Sequence, residues 1–469
     1  MVDKDILIAH LLRQNELLTE QNTQLRQKVK QLEEKIVRLE RNSSNSSKPP
    51  SSDIINPKPA PKRGRKRKRG GQRGHPKHHR QPFTPEQIDQ TVIHELPAQE
   101  VARRNLTPLE LTESALQQAD LPEKLYRVVD HRIRLYIMPN GKVVKAKLPK
   151  AIRREGLFTS SMAAYVGYLK ARCHMSYSTI AEFFNDVMAL GISQGYLVKC
   201  CNKKLSPALA PAYAQALEHV RNAPVVGTDE TGHKDSGSRN WTWCQHADNV
   251  AFFRICNSRG SKVLFDNLGE NFNATLVADF FSANRMFVRQ TGARVQWCWA
   301  HLVRDIKFIA ELGVANVRQW ADRLLWIIKR MLKTWRRGRG TKTYYRRKKL
   351  EDFKRMFLNS VLRPPDYPEC RKIKKRFAGD GRNGYFLFLE ADGVEPTNNA
   401  TEQKIRFVVL DRRVTQGTNS DAGMRFYERI WTVVASCTAQ RKNIFKFLTQ
   451  SLKAHHQNTD PPSILPEKL

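Results

Sequence analysis

PVVGTDET, residues 224–231, is a short apolar run that ends in Asp229 and Glu230. NWTWCQH (240–246) and VAFFRIC (250–256) follow as alternating or apolar stretches, and their spacing predicts an antiparallel meander. ATLVADFF (274–281) is a second apolar strand, ending in Asp279. PTNNATEQKIRFVVL (396–410) reads as a helix capped by Asn398 or Asn399, with Glu402 in its first turns. A lone carboxylate at a strand end is ordinarily a cap or a surface residue. Three of them in this order suit a divalent-metal site, since strands hold the oxygens rigidly and chain ends expose them to substrate. Glu230 points to the opposite face if its strand continues, and is left out of that site.

The rest of the chain supplies the charge such a site would serve. Its 469 residues carry 81 Lys and Arg against 45 Asp and Glu, a net charge of +36, which suits a polyanionic partner. Hydrophobic residues make up 40%, which excludes wholesale disorder. No apolar run is long enough to span a membrane and the charged N-terminus is no signal peptide, so the expectation is a cytoplasmic protein without a membrane partner. The eight cysteines are scattered, with none before Cys173, which excludes a disulfide scaffold and predicts no zinc module.

Much of the charge lies in two acid-free runs. Residues 62–80 hold ten Lys or Arg, including Lys62, Arg63, Arg65, Lys66, Arg67, Lys68, Arg69 and Arg73. Too rich in Gly and charge to pack, this run reads as an arm ordered by DNA. Residues 329–349 hold eleven, among them Arg336, Arg337, Arg339, Arg346 and Arg347. Trp335, Tyr344 and Tyr345 interleave with them, as on a phosphate-tracking surface with stacking side chains.

Residues 1–41 have a seven-residue rhythm. Leu11, Leu18, Leu25, Leu32 and Leu39 fall at position d; Ile8, Asn15, Asn22, Val29 and Ile36 fall at a. Successive Asn at a favours a parallel dimer in fixed register, against the alternative of a helix packed on its own chain. Residues 42–80 form a Ser- and Pro-rich linker and the arm. Within 81–156, RIRLYIMPNGKVVKAKLP reads as a hairpin around Asn140-Gly141. Residues 157–222 read as helical, with a possible DNA-reading helix-turn-helix around Gly191.

Seven pieces, in order, resemble the insertion-sequence sixty-six family of DDE transposases. They are NSSKPPSSD (45–53), RGGQRGH (69–75), VGTDETG (226–232) with WTW (241–243), SRGSKVL (258–264), CWAHLVRD (298–305), DGVEPTNNATEQKIR (392–406) and DRRVTQGTNSDAG (411–423). The resemblance covers nearly the whole chain. It implies a mainly α protein with an α/β ribonuclease-H-like catalytic core: residues 223–311, a basic helical insertion at 312–390, the Glu402 segment at 391–450, and a tail at 451–469. Asp229, Asp279 and Glu402 would be the catalytic acids and ligands of two Mg²⁺ ions, with Mn²⁺ substituting. The partners implied are the terminal inverted repeats of the element, target DNA, a second copy of the chain or more, and small accessory proteins. Phe280 and Phe281 depart from the family's usual residues after the second acid, and Asp266 is the competing position for that acid.

Helical spacing suggests supporting residues. Cys298, His301 and Asp305 share one face, so Asp305 could orient His301; Cys-x-x-His also resembles a motif near the acids of many DDE enzymes, which implies a DNA-phosphate contact for His301, and a packed histidine is the plain alternative. Arg406, Arg412 and Arg413 could clamp phosphate, or merely pair on the surface. Two other readings remain: a catalytically inactive repressor derived from such an enzyme, and a structural nucleic-acid-binding protein.

Overall fold

The computed structural model describes residues 4–40, 82–107, 109, 116–122, 124–337, 344–379 and 381–466. It is mostly helical, with one mixed five-stranded sheet. No helix among the described residues is long and apolar enough to cross a membrane.

Lys4–Leu39 form a single helix, α1. Its apolar a and d side chains, from Ile8 through Leu39, are each more than half exposed. The contacts it makes with its own chain come from another side. Tyr367 Oη donates to Glu34 Oε2 at 2.9 Å, Arg38 pairs with Glu369 at 2.9 Å, and Val37 packs against the core. In the heptad, Glu34, Val37 and Arg38 are positions f, b and c, away from the leucine seam.

Residues 59–132 form a separate compact unit. Its described part holds a short 3-10 turn at Pro85–Gln87 and the helix α2 (Ala98–Arg103). The basic arm at 62–80 lies outside the described residues.

The remaining chain begins with the expected hairpin, β1 (Leu135–Ile137) and β2 (Val143–Lys145), antiparallel about Gly141 at φ 76°. Helices α3 (Lys150–Glu155), α4 (Ser160–Ala171), α5 (Tyr177–Met188) and α6 (Gln194–Lys199) follow. After a π-helical turn at Cys200–Leu205 come α7 (Ser206–Ala208) and α8 (Ala210–Asn222). The segment read as a helix-turn-helix is α5 and α6, joined through left-handed Ala189. Leu197, Cys200, Cys201 and Leu205 are fully buried, so the inward face of the second helix is core.

The meander is β3 (Val225–Asp235), β4 (Ser238–Ala247) and β5 (Val250–Cys256). Helix α9 (Lys262–Leu268), β6 (Thr275–Ala278), α10 (Ser282–Thr291), β7 (Arg294–Trp297) and α11 (Trp299–Ala310) complete this part. The sheet order is β5-β4-β3-β6-β7, antiparallel from β5 to β3 and parallel from β3 to β7. Next come α12 (Ala315–Arg337), α13 (Tyr344–Val361), α14 (Pro368–Phe377) and α15 (Gly381–Phe386), which separate β7 and α11 from α16 (Asn399–Thr415). Helices α17 (Asp421–Ala439) and α18 (Ile444–Gln457) close the chain.

Alternation along the strands divides the interior in two. Val226, Trp243, Phe252 and Leu276 face a core shared with α9–α15; Cys244, Phe253 and Ile255 face one shared with α4–α8 and α16–α18. Strand β5 would be an open edge. Its N–H groups at Ala251, Phe253 and Ile255 instead donate to Ser436 Oγ, Thr432 Oγ1 and Glu428 Oε1, at 2.9, 3.1 and 2.7 Å. Alternate strand residues and every fourth helix residue advance by nearly the same distance, which lets α17 cap the edge in register.

Candidate active site

Asp229 lies inside β3, not at its end as the sequence suggested. The end is the neighbour's: β6 pairs with β3 only through Gly227↔Val277 and stops at Ala278, so β3 runs on past it. Asp279 follows directly. Its Oδ1 accepts from Asn284 Nδ2 at 2.7 Å and from the Phe281 N–H at 3.3 Å, at the entry to α10. The two phenylalanines anchor this corner. Phe280 packs edge-on against Trp297 at 5.0 Å and near Tyr385, while Phe281 lies under the Arg259 guanidinium at 4.1 Å.

Glu402 comes in on the first turn of α16. Asn398 occupies the N-cap position, but its side chain does not cap the helix. It crosses to β3 instead, donating to Thr228 O at 2.7 Å, while Thr401 Oγ1 sits 3.1 Å from His246 Nδ1 on β4. Close approach of this helix requires a residue without a Cβ at Gly227. Glu402 Oε1 then accepts from Arg304 Nη2 at 3.0 Å and lies 3.6 Å from His301 Nδ1.

The three acids feel one another. Burial pushes the Asp229 carboxyl well above its usual range, and the charges of Glu230, Asp279 and Glu402 push it further. Burial also raises Asp279, against the Phe281 and Asn284 hydrogen bonds and the Arg259 charge. Glu230 belongs to the same group despite the alternation of the strand: burial and the nearby Asp279 raise it to about 7, opposed by Arg259. With β6 ended, the corner after Asp279 reaches the Glu230 side of β3 through Phe281 and Arg259. Buried carboxylates that repel each other are relieved by a proton or by a multivalent cation, and an all-oxygen set suits a hard one. These residues therefore fit Mg²⁺.

The neighbouring Cys298, His301 and Glu402 also bring ligand atoms within 4.8 Å of one another. Burial keeps the Cys298 thiol protonated, raised to about 11, and Sγ accepts the Asn398 N–H at 3.2 Å. Burial, then the Arg304 charge, lowers His301 to about 4, so the imidazole is neutral. Asp305, expected to orient His301, accepts from Arg376 Nη2 at 2.8 Å while its charge still acts on His301, and Glu402 is a second carboxylate close to His301 Nδ1. Arg376 comes from the inserted α14, a partner no local spacing reveals.

Other expected residues lie around this centre. Arg406 and Arg413 are exposed, whereas Arg412 donates to Thr231 Oγ1 at 3.2 Å. Asp266 is on the exposed face of α9, beside Lys262. Arg336 and Arg337 end α12, where with Lys307, Lys329 and Lys333 they rim a groove floored by Leu325 and Ile328. Arg347, Tyr344 and Tyr345 are exposed, and Arg346 Nη2 donates to Trp335 O at 2.7 Å. Trp335 is half-buried and packs edge-on against Phe388 at 5.7 Å. Arg339 and the eight named arm residues from Lys62 to Arg73 lie outside the described residues. Sequence reasoning missed Arg304, Arg259 and Glu230, although each sits inside one of the motif pieces.

No curated protein matches the chain. Residues 3–81 match a family of unknown function (DUF6444). Residues 155–426, from α3 through the start of α17, match the Transposase IS66 family. That match takes in all three acids and more than half of the sequence, and the chain belongs to the Transposase IS66 family.

Proposed function

We propose that this chain is a DDE transposase that binds the ends of its element and cuts and joins DNA by two-metal-ion phosphoryl transfer. The observation that carries the proposal is the meeting of Asp229, Asp279 and Glu402, brought together by the β3–β6 pairing and by the Asn398 bond to Thr228 into one half-buried, mutually repelling group. The mixed sheet, half antiparallel and half parallel, supports a ribonuclease-H-like core interrupted by α12–α15. The net charge of +36 supports DNA as the partner.

Two Mg²⁺ ions, when bound, activate the attacking water or 3′-hydroxyl and stabilise the leaving oxygen. Asp229, repelled by both other acids, would hold the ions together with Asp279 and Glu402. Asp279 has one oxygen tied to Asn284 and Phe281, which orients the other; Arg304 does the same for Glu402. His301, kept neutral, has a buried Nδ1 with no hydrogen-bond partner among the described residues and can hold or pass a proton beside Glu402. The seam of α1 would join two copies, and the arm at 62–80 would add affinity without reading sequence.

The test is purified protein with duplexes carrying element ends, in Mg²⁺ or in EDTA. Strand cleavage at the ends in Mg²⁺ alone is expected. Tight binding without cutting in either Mg²⁺ or Mn²⁺ would leave the repressor reading standing.

A further inference from the structure

One side chain joins SRGSKVL to both halves of the VGTDETG and WTW piece. Arg259, of SRGSKVL, lies 4.7 Å over the ring of Trp241, of WTW, and 4.1 Å over Phe281. Its Nε and Nη2 donate to the same oxygen of Glu230, of VGTDETG, at 2.9 and 2.6 Å. The two ends of this ion pair differ sharply in exposure: 2% for the Glu230 side chain and 40% for Arg259.

A purely structural ion pair is one explanation, but it fits poorly. Burying a carboxylate costs about as much as the pairing returns, and an apolar pair would hold the corner as well. The arrangement is instead that of a donor prepared in advance. Two aromatic faces fix the plane of the guanidinium, Glu230 takes one edge, and Nη1 has no partner among the described residues. Its charge reaches Asp279. A planar fork with a free edge beside a metal-binding acid suits a phosphate oxygen better than it suits any neutral group.

We propose that Arg259 binds a phosphate of the DNA strand held at the acid cluster, and that Glu230 is the positioning residue that fixes the guanidinium for it. The proposal rests on the reading of this centre as a metal-dependent DNA-cutting site.

The test uses the full chain and element-end duplex in three measurements: single-turnover cutting in Mg²⁺, binding in Ca²⁺ across a salt series, and Mn²⁺ binding without DNA by calorimetry. Arg259→Gln alone would strand the Glu230 charge, so the main variant is the double Glu230→Gln, Arg259→Gln. Its cutting rate at saturating DNA should fall about a hundredfold, as for loss of one preorganised donor. The slope of log affinity against log salt should become shallower by about one, the value for one lost phosphate contact. Mn²⁺ should bind as well as before or more tightly. Arg259→Lys keeps the charge and loses the fork, so it should keep the slope and lose the rate; it serves equally if the double variant does not fold. Wild-type cutting and slope in both variants overturn the proposal. So does slow cutting with an unchanged slope and weakened Mn²⁺ binding in the double variant, which would make Arg259 a prop for Asp279. Failure of the wild type to cut in Mg²⁺ or Mn²⁺ overturns the underlying reading instead.

Discussion

Gly227 lies so close beneath Thr401 that a methyl group on it would stand 2.5 Å from the Thr401 hydroxyl, and closer still to His246. The contact lies between the strand that carries Asp229 and the helix that carries Glu402. Gly227→Ala must therefore push α16 away from β3. Overpacking of this kind costs roughly 1–3 kcal/mol. Cleavage should fall by about a hundredfold, because a displacement near 1 Å is enough to disrupt in-line geometry. Thermal unfolding and cleavage of end DNA, measured on the same preparation, would separate the two effects. Full activity in the variant would mean that the spacing of these acids is not critical.

Neutralising an acid should separate folding from chemistry. Asp229→Asn, Asp279→Asn and Glu402→Gln should each lose cleavage by several orders of magnitude while binding DNA as well as wild type or better, since carboxylates repel phosphate when no metal intervenes. Asp229→Asn should also raise the melting temperature of the metal-free protein, because its half-buried carboxylate sits among like charges. Ca²⁺ should permit binding without cutting. Normal cutting by the Asp279 variant, with a dead Asp266→Asn, would move the second acid.

His233 predicts a specific weakness toward acid. Thr418 Oγ1 donates to Asp235, so it accepts from His233 Nε2, 3.1 Å away; His233 Nδ1 is buried with no acceptor among the described residues. Burial, with the Arg412 charge, lowers the imidazole from 6.5 to about 4. Between those values the unfolded chain binds the proton and the folded one does not. The stabilisation is thus complete above about pH 6.5 and is lost as the pH falls toward 4, on the order of 3 kcal/mol at most. Wild type should lose its stability advantage over His233→Gln across that window, measured by urea unfolding. The acid cluster shifts in the opposite sense but is common to both proteins, and cancels. A constant gap would show that the imidazole charges without penalty.

The seam of α1 predicts a dimer that does not depend on the intrachain contact. Replacing Leu18 and Leu25 with Glu should give monomers in sedimentation velocity, whereas Tyr367→Phe should leave the dimer intact. Asn15→Val with Asn22→Val should raise thermal stability and broaden the distribution of oligomers. Monomeric wild-type protein at tens of micromolar, about where five heptads should pair, would refute the zipper.

What could be read from the sequence was local. The apolar runs before Asp229 and Asp279, the alternation of β4 and β5, and the helix carrying Glu402 each announce themselves within about fifteen residues. What escaped was set by partners far along the chain. Asp305 is four residues from His301, but Arg376 in the insertion binds it. Strand alternation sets Glu230 apart from Asp229, yet β6 stops early and the corner at Phe281 brings Asp279 within electrostatic reach. Trp335 sits in a basic run and still finds Phe388. A polar cap at Asn398 was expected from helix rules, but the side chain found a strand carbonyl instead.

The contacts of Glu34, Val37 and Arg38 hold the core against the outside of α1, near one end of a rod of 36 residues, about 54 Å long. In a parallel pair, the position of one body along that rod then dictates where the other must stand. A slip of a single heptad would displace one cutting centre from its twin by about 10 Å, some three base pairs of duplex. Asn15 and Asn22, which penalise such a slip, would make the rod a length standard: two polar residues near the N-terminus would determine which phosphates, on two separate DNA ends, can be reached at the same moment.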